Sequence, residues 1–361
     1  MSDPIDVTKA IRKRPGMYVG DPEDGRGLHN LVEFLIEDAL DAECSRIAVT
    51  LHADRSVTVE DNGRDQPVRL DQLSSLRRHE GAAATRRRSP WTGYTGGLMV
   101  AGGIVVTAMS DWLELEVCGD GTTYHQRCIE GAPVSEHERA DHRSARGTWI
   151  TFHPDPQLFR KVLELSFDQV EARLRDLAHL HRGLQTRLVD ERTGRVVEFL
   201  SERGIEDYVS ELTANEAAIS DVIAISGEHE GVTVEVAMQW TQARNPRLLC
   251  FTNSIWNAGG GTHLAGFFRA VTTVFETIGR SSTSNAGAAI DEARLREGLT
   301  AVISVRCPEP RYSDAQKDVL VAPDVEVAVA TVVSDRLTEY FAPRPQLGHT
   351  ILARAAFQVA P

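Results

Sequence analysis

The sequence has little of what marks membrane, secreted or metal-stapled proteins. No apolar run in its 361 residues approaches the length of a membrane-spanning helix. The charged N-terminus also lacks the apolar stretch of a signal peptide. The five cysteines, an odd number, show no paired metal spacing. We therefore expect a soluble, cytoplasmic protein whose thiols are free and which holds no structural metal or disulfide.

Positive charge is scarce as well. Lys and Arg total 39 against 52 Asp and Glu, which gives a formal net charge of −13. Neutralisation of phosphates by Lys and Arg supplies most nonspecific affinity for DNA. The charge balance therefore argues against a broad nucleic-acid surface, and we expect neither DNA nor a membrane as a partner.

The first half of the chain alternates helical and strand patterns. Apolar residues recur at helical spacing over residues 30–42, and two short strands follow at 47–52 and 57–60 around a turn. Further patterns predict strands at 104–109, 112–118, 149–153 and 186–190 and a helix at 167–182. This mixture predicts an α+β fold with a two-layer α/β sandwich.

A second unit is predicted after Gly204. Strand patterns occupy residues 221–226, 232–240 and 247–252, and a helix at 262–278 leads to a strand at 299–305. A strand, helix, parallel strand order predicts a right-handed crossover. One more helix is predicted at 325–341. We therefore predict domains at 1–203 and 204–345, followed by a C-terminal tail at 346–361.

Four separated regions of the sequence carry a family resemblance. They comprise AIRKRPGMYVG at residues 10–20 with GLH at 27–29, RGT at 146–148, CFTNSI at 250–255 with GGTHLAGF at 260–267, and REGL at 296–299 with KD at 317–318. Together they resemble the ATPase region of the DNA gyrase B family, which belongs to the type IIA topoisomerases. The resemblance implies a GHKL ATPase domain followed by a transducer domain with an S5-like fold.

The resemblance also sets expectations for the assembly. Members of the family dimerise when they bind ATP, so a homodimer is expected here. No length remains for the metal-binding cleavage domain of a topoisomerase. We therefore expect that this polypeptide alone is not one.

The helix near residue 34 differs from the family at its catalytic position. In the family this helix supplies a catalytic Glu and, four residues later, an Asn that holds magnesium. The resemblance places Phe34 and Asp38 at these positions, so that Asp38 would hold a metal only if Mg-nucleotide binds. Glu33 and Glu37 are also four residues apart but lie about 100° around the helix. We interpret them as solvated charges, with an inward slip of Glu33 as the alternative. Asn30 replaces a family His that supports the catalytic Glu.

The motif at residues 61–67 resembles the adenine-binding motif of the family. The resemblance implies that Asp61 accepts a hydrogen bond from the adenine amine and that Thr148 lies near it. Arg64 and Pro67 belong to the same motif and are expected to contact the ligand. Asp65, however, replaces a glycine and adds a negative charge.

Acidic residues are therefore candidates for new chemistry in this pocket. Asp38, Asp61 and Asp65 are predicted to converge there. Buried carboxylates with like-charged neighbours acquire raised pKa values that suit acid or base catalysis. We name Asp38, Asp65, Glu33 and Glu37 as candidate catalytic residues.

The phosphate-binding segments are altered as well. Backbone N–H groups at glycine-rich turns bind phosphate, and the segment with Gly97, Met99, Val100 and Gly102 lies at the family's triphosphate loop. Val100 replaces a glycine there, so phosphate binding and a tight structural turn are equally compatible with the pattern. In the preceding lid, the resemblance offers three ligand contacts: Arg86, Arg87 and Tyr94. A mobile basic loop is the alternative. Lys317 matches the family lysine that reaches the terminal phosphate.

Three functions remain open. The replacements favour a gyrase-B-like protein whose ATP hydrolysis is lost or very weak and whose pocket binds or converts a non-nucleotide small molecule. Such a role fits specialised metabolism or resistance to gyrase inhibitors. One alternative is a dimeric clamp or slow ATPase that uses Mg-ATP and acts with a partner. The other is a decoy that sequesters an inhibitor.

Overall fold

The structure is a computed structural model that describes residues 7–63, 88–89, 93–94, 99–119, 122–134, 138–140, 146–281, 291–314 and 317–355. The chain divides into two compact units, Met1–Ser201 and Glu202–Pro361. Each unit has its own hydrophobic core. The assignment of a GHKL domain to 1–203 and a transducer domain to 204–345 stays a prediction beside these units.

The first unit combines helices with one large sheet. Its helices are α1 Val7–Lys13, α2 Gly16–Val19, α3 Arg26–Asp41, α4 Met99–Ala108 and α5 Phe167–Leu180. Its strands are β1 Arg46–Leu51, β2 Val57–Asp61, β3 Arg88–Ser89, β4 Gly93–Tyr94, β5 Ser110–Gly119, β6 Thr122–Ile129, β7 Ala132–Pro133, β8 Glu138–Ala140, β9 Gly147–Pro154, β10 Gln185–Asp190 and β11 Arg195–Phe199.

Within the described residues, nine of these strands form one mixed sheet. Its order is β11-β10-β1-β2-β9-β5-β6-β7, and β8 also pairs with β6. The predicted hairpin is confirmed, because β1 and β2 pair in antiparallel register. β3 and β4 form a separate two-stranded ladder. The antiparallel pair of β2 and β9 lies in the middle of the large sheet and carries the residues of the candidate site.

Helix α3 buries one face in the core of the first unit. Its buried side chains recur at helical spacing: Leu28, Leu31, Val32, Leu35, Ile36, Ala39 and Leu40. Helix α5 begins after Ser166, whose hydroxyl accepts a hydrogen bond from the Gln169 amide at 3.4 Å. The predicted α+β class, with helices layered on a sheet, is confirmed.

The prediction of a strand at 104–109 is wrong. These residues belong mainly to helix α4, which packs against α3. The β-branched run Ile104-Val105-Val106-Thr107 favours a strand locally, but Val105 and Val106 are buried in the core from a helix. Tertiary packing therefore overrides the local preference at this position.

The second unit contains a five-stranded sheet and its own helices. The helices are α6 Ile205–Thr213, α7 Thr262–Ser281, α8 Glu292–Arg296, α9 Pro323–Phe341 and α10 Pro345–Ala355. The strands are β12 Ile223–His229, β13 Val232–Trp240, β14 Arg247–Thr252, β15 Ile255–Trp256 and β16 Leu299–Arg306. The sheet order is β12-β13-β16-β14-β15.

The predicted crossover is confirmed in this sheet. β14 and β16 pair in parallel register, and α7 lies between them in the chain. The residues predicted as a tail, 346–361, are helical as far as Ala355. Helix α10 packs against α7 and α8, with Ile351 and Leu352 in the core.

All five cysteines are buried thiols in the core regions of the two units. Burial raises the pKa of the Cys128 thiol to about 11 and that of the Cys250 thiol to about 12. Burial, with a smaller contribution from Asp324, raises the pKa of Cys307 to about 12 as well. Among the helices that the structure describes, none is both long and apolar enough to cross a membrane.

Candidate functional site

Phe34 lies on the face of α3 that contacts α4. The half-buried ring packs at Gly102, where an added Cβ would lie 3.2 Å from the Phe34 Cβ atom. Asp38 is one turn further along α3 on the same face and is half-buried. This face therefore presents a phenyl ring where the family resemblance expects a carboxylate.

Glu33 points to a different neighbour. Arg173 on α5 donates a hydrogen bond from Nε to the Glu33 carboxylate at 2.8 Å, and the Arg173 side chain is 15% exposed. Burial disfavours the charge of Arg173, but Glu33 outweighs it, and Glu37 adds to the effect, so the pKa of the guanidinium is raised. The prediction of a freely solvated Glu33 is wrong. Its catalytic role stays a prediction, which this ion pair disfavours.

The first turns of α3 are also held by side-chain contacts. Asn30 donates from Nδ2 to the Val19 carbonyl at 2.9 Å. The Ser166 amide donates to the His29 Nε2 atom at 3.3 Å. Burial lowers the pKa of His29 against the opposing charge of Glu33, so the ring is neutral at pH 7 and Nε2 can accept. These bonds fix the start of the helix and offer no base to Phe34.

Asp61 and Thr148 lie side by side on the central strands. They are partners in the register of β2 and β9, and both are nearly buried, with 6% and 5% exposure. The Asp61 Oδ1 atom accepts a hydrogen bond from the Gly63 amide at 2.8 Å, which orients the carboxylate. The pair thus places a carboxylate and a hydroxyl next to each other at the end of β2.

Two glycines allow the backbone to close around Asp61. A Cβ at Gly147, which has φ of 143°, would collide with the Asp61 carbonyl oxygen. A Cβ at Gly63 would lie 2.8 Å from the Ala42 carbonyl oxygen and 2.9 Å from Asp61 Oδ1. Only glycine fits at these close approaches.

Asn62 is a positioning residue that sequence reasoning missed. Its Oδ1 atom accepts from the amides of Ser45 and Arg46 at 2.9 and 2.8 Å, and its Nδ2 atom donates to the Ser45 hydroxyl at 3.0 Å. These bonds tie the segment after α3 to the end of β2. An Asn before Gly at a strand end is the available signal, because such residues often bond to nearby backbone.

The predicted phosphate loop is helical over part of its length. Met99, Val100 and Gly102 belong to α4, so at these positions the tight-turn interpretation is wrong and valine meets no φ restriction of a turn. Gly97 lies outside the described residues. Tyr94 belongs to β4, which pairs with β3. Five further candidates also lie outside the described residues: Arg64, Asp65, Pro67, Arg86 and Arg87.

Lys317 belongs to the second unit. Its backbone has a positive φ of 63°, and its carbonyl accepts a hydrogen bond from the Asn257 side chain at 2.7 Å. Its ammonium lies 6.0 Å from the centroid of the Tyr312 ring. The proposed contact with a terminal phosphate stays a prediction.

Known proteins resemble this chain over nearly its whole length. Residues 204–360 match the family model described as DNA gyrase B. The DNA gyrase B protein of Rickettsia felis (strain ATCC VR-1525 / URRWXCal2) is 35% identical over 379 residues, which cover 98% of this chain and 46% of that protein. The chain belongs to the DNA gyrase B family.

Other members of the type IIA topoisomerases agree with this assignment. The DNA topoisomerase 4 homologue of gyrase B from Staphylococcus aureus (strain Mu50 / ATCC 700699) is 34% identical over 97% of this chain and 55% of its own length. The 43K ATPase domain of Thermus thermophilus gyrase B, solved in complex with an aminocoumarin, matches with a TM-score of 0.79 and 28% identity. That match covers 97% of this chain and 94% of the other.

The comparisons confirm the predicted resemblance to the ATPase region of gyrase B. This chain spans about half the length of the curated relatives it matches. The alternation of a large mixed sheet with helices, followed by the sheet with the β14-α7-β16 crossover, is the gyrase B ATPase-region fold.

Proposed function

We propose that this gyrase-B-like chain binds a small molecule at Asp61 and Thr148 and hydrolyses ATP at most very slowly. The single observation that carries the proposal is the packing of Phe34 against Gly102. A hydrolytic site needs a base within hydrogen-bond reach of the attacking water, and a phenyl ring has none. The nearest carboxylate along the chain, Glu33, is paired with Arg173.

The pocket retains recognition chemistry. The oriented carboxylate of Asp61 accepts a hydrogen bond from a ligand N–H or O–H group, and the neighbouring Thr148 hydroxyl donates or accepts. Both are nearly buried, so a ligand that fails to pair with them would leave polar groups unsatisfied. The aminocoumarin complex of the Thermus relative makes gyrase inhibitors a ligand class to test first.

Mg-nucleotide fits the described residues only in part. Asp38 offers one oxygen ligand on the α3 face, and magnesium in nucleotide sites commonly uses one or two carboxylates together with phosphates. Asp61 would accept from the adenine amine. The described residues thus fit nucleotide binding better than hydrolysis, and the clamp alternative depends on binding alone.

Turnover of ATP tests the proposal directly. We expect the wild type to hydrolyse ATP at the rate of a blank. A general base contributes about 10²- to 10⁴-fold, so Phe34→Glu is expected to raise any residual rate, whereas Phe34→Gln, of the same shape as Glu but not a base, is not. Glu33→Gln should leave the rate unchanged. Family-like turnover in the wild type that Phe34→Glu does not increase would refute the proposal.

Calorimetric titration separates the ligand classes. The wild type and Asp61→Asn would be titrated with a nonhydrolysable ATP analogue and with an aminocoumarin. Binding of the aminocoumarin that Asp61→Asn weakens supports the pocket. Recovery of the drug unchanged favours sequestration, whereas its conversion with turnover favours an enzyme, in which case Asp38→Asn and Asp65→Asn should slow the reaction.

A further inference from the structure

A groove on the second unit is separate from the residues considered so far. It lies between α7 and α8 and has a volume of about 650 Å³. Leu264 and Phe268 supply apolar surface, and Arg269, Thr272 and Arg296 supply polar groups. Small-molecule sites typically enclose about 300–1,000 Å³ and combine an apolar surface with a few polar groups.

Two polar atoms of the lining residues are without partners. Thr272 Oγ1 and Arg296 Nε are buried, and neither has a hydrogen-bond partner among the residues that the structure describes. The neighbouring Thr273 behaves ordinarily, because its hydroxyl donates to the Arg269 carbonyl at 2.8 Å. Buried polar groups are normally paired, and an exception calls for a water, an ion or a ligand. Since both atoms can donate, an acceptor-rich molecule would satisfy them.

Arg296 is held in a defined orientation. Its guanidinium lies 3.8 Å from the centroid of the Phe268 ring, and it forms an ion pair with Glu292. Stacking on an aromatic ring leaves the planar fork of a guanidinium free to bind a carboxylate or phosphate edge-on. The apolar ring and the charged fork therefore lie together at one place in the groove.

The groove is not strongly cationic. Arg296 is paired with Glu292, and Arg269 with Glu326 at 2.9 Å. The Glu292 side chain is 48% exposed, and such exposed pairs contribute little to stability. An incoming anion can therefore displace Glu292 from Arg296 at small cost, whereas a charge alone, without an apolar body, gains little here.

We propose that the groove between α7 and α8 binds a small organic anion, with its apolar body against Leu264 and Phe268 and its carboxylate or phosphate on Arg296 and Thr272. The site lies wholly in the second unit. It is therefore independent of the pocket around Asp61 and of the function proposed for it.

The test uses the whole chain and three probes at constant ionic strength. Benzoate and phenyl phosphate carry the two candidate head groups on the same ring, and benzyl alcohol carries none. Binding would be followed by amide chemical shifts of α7 and α8. We expect saturable shifts with benzoate or phenyl phosphate and much weaker binding of benzyl alcohol.

Three variants locate the binding site. Thr272→Val removes the hydroxyl at nearly constant shape, and Arg296→Leu removes the guanidinium. Each should weaken binding about tenfold or more, because a hydrogen bond to a charged group is lost. Arg280→Leu, an exposed arginine at the end of the same helix, should change binding little. Thr272→Val also keeps the test valid if Arg296→Leu fails to fold.

Several results would overturn the proposal. These are equal binding of benzyl alcohol, equal weakening by Arg280→Leu, and an affinity that neither Thr272→Val nor Arg296→Leu alters. Absence of any shift in α7 and α8 when benzoate and phenyl phosphate replace chloride would overturn it as well. None of these results bears on the Asp61 pocket.

Discussion

His263 makes the second unit sensitive to acid. The imidazole begins the first turn of α7, is fully buried, and has no hydrogen-bond partner on either nitrogen within the described part of the chain. Burial lowers its pKa from an ordinary 6.5 to about 4. Because the pKa is depressed on folding, the unfolded chain binds a proton more readily than the folded one between these values.

The sign and size of the effect follow from the two pKa values. Above pH 6.5 both states are neutral, and the stability is fully present. As the pH falls from 6.5 to about 4, the unfolded state gains a proton that the folded state refuses, so the free energy of unfolding decreases. A difference of about 2.5 pKa units corresponds to about 3 kcal/mol in all, at about 1.4 kcal/mol per unit, of which about 2 kcal/mol falls between pH 7 and 5.

His263→Leu isolates this contribution from the other groups that titrate in acid. We expect the free energy of unfolding of the variant, relative to the wild type, to increase by about 2 kcal/mol between pH 7 and 5. Urea unfolding would be followed by the fluorescence of Trp240, which is buried in the same unit, after the other tryptophans are replaced by Phe. His229→Leu, at a half-exposed histidine, provides the comparison. A difference between His263→Leu and wild type that stays constant from pH 7 to 5 would refute the reasoning.

Two further substitutions test the first unit. Arg173→Met leaves the half-buried Glu33 carboxylate without its partner and should lower the free energy of unfolding by about 1–3 kcal/mol, between the values for exposed and buried pairs. A double-mutant cycle with Glu33→Gln in urea unfolding should show coupling, and additivity would count against the pair. Gly147→Ala should cost about 2–6 kcal/mol, because about 1–3 for the strained φ adds to about 1–3 for the collision with the Asp61 carbonyl. Gly194→Ala, with φ of 73° and open space around it, should show the strain alone and a clearly smaller loss in thermal unfolding.

Elements with a strong apolar period were predictable from the sequence. Helix α3 and the strands β1 and β2 follow their patterns because each buries one face in the core. Helix α4 was not predictable, since its β-branched residues favour a strand until the helix packs against α3. Strand β6 was missed because TTYHQRCI mixes polar and apolar residues without a clear alternation.

The candidate site was predictable by position but not by contact. The family motifs identify Phe34, Asp61 and Thr148, and the structure brings Asp61 and Thr148 together as register partners. No motif indicates that Arg173, far away in the chain, holds Glu33. Contacts of this kind depend on how α5 packs beside α3, and the period of either helix alone does not contain that information.

The burial of all five thiols turns the cysteines into reporters of motion. A thiol reagent needs both access and a thiolate, and neither is available at Cys128, Cys250 or Cys307 while the chain is folded. Labelling therefore requires local opening, and its rate reflects the population of the open form. Because Cys128 belongs to the first unit and the other two to the second, one time course read by mass spectrometry compares the breathing of the two units in the native protein.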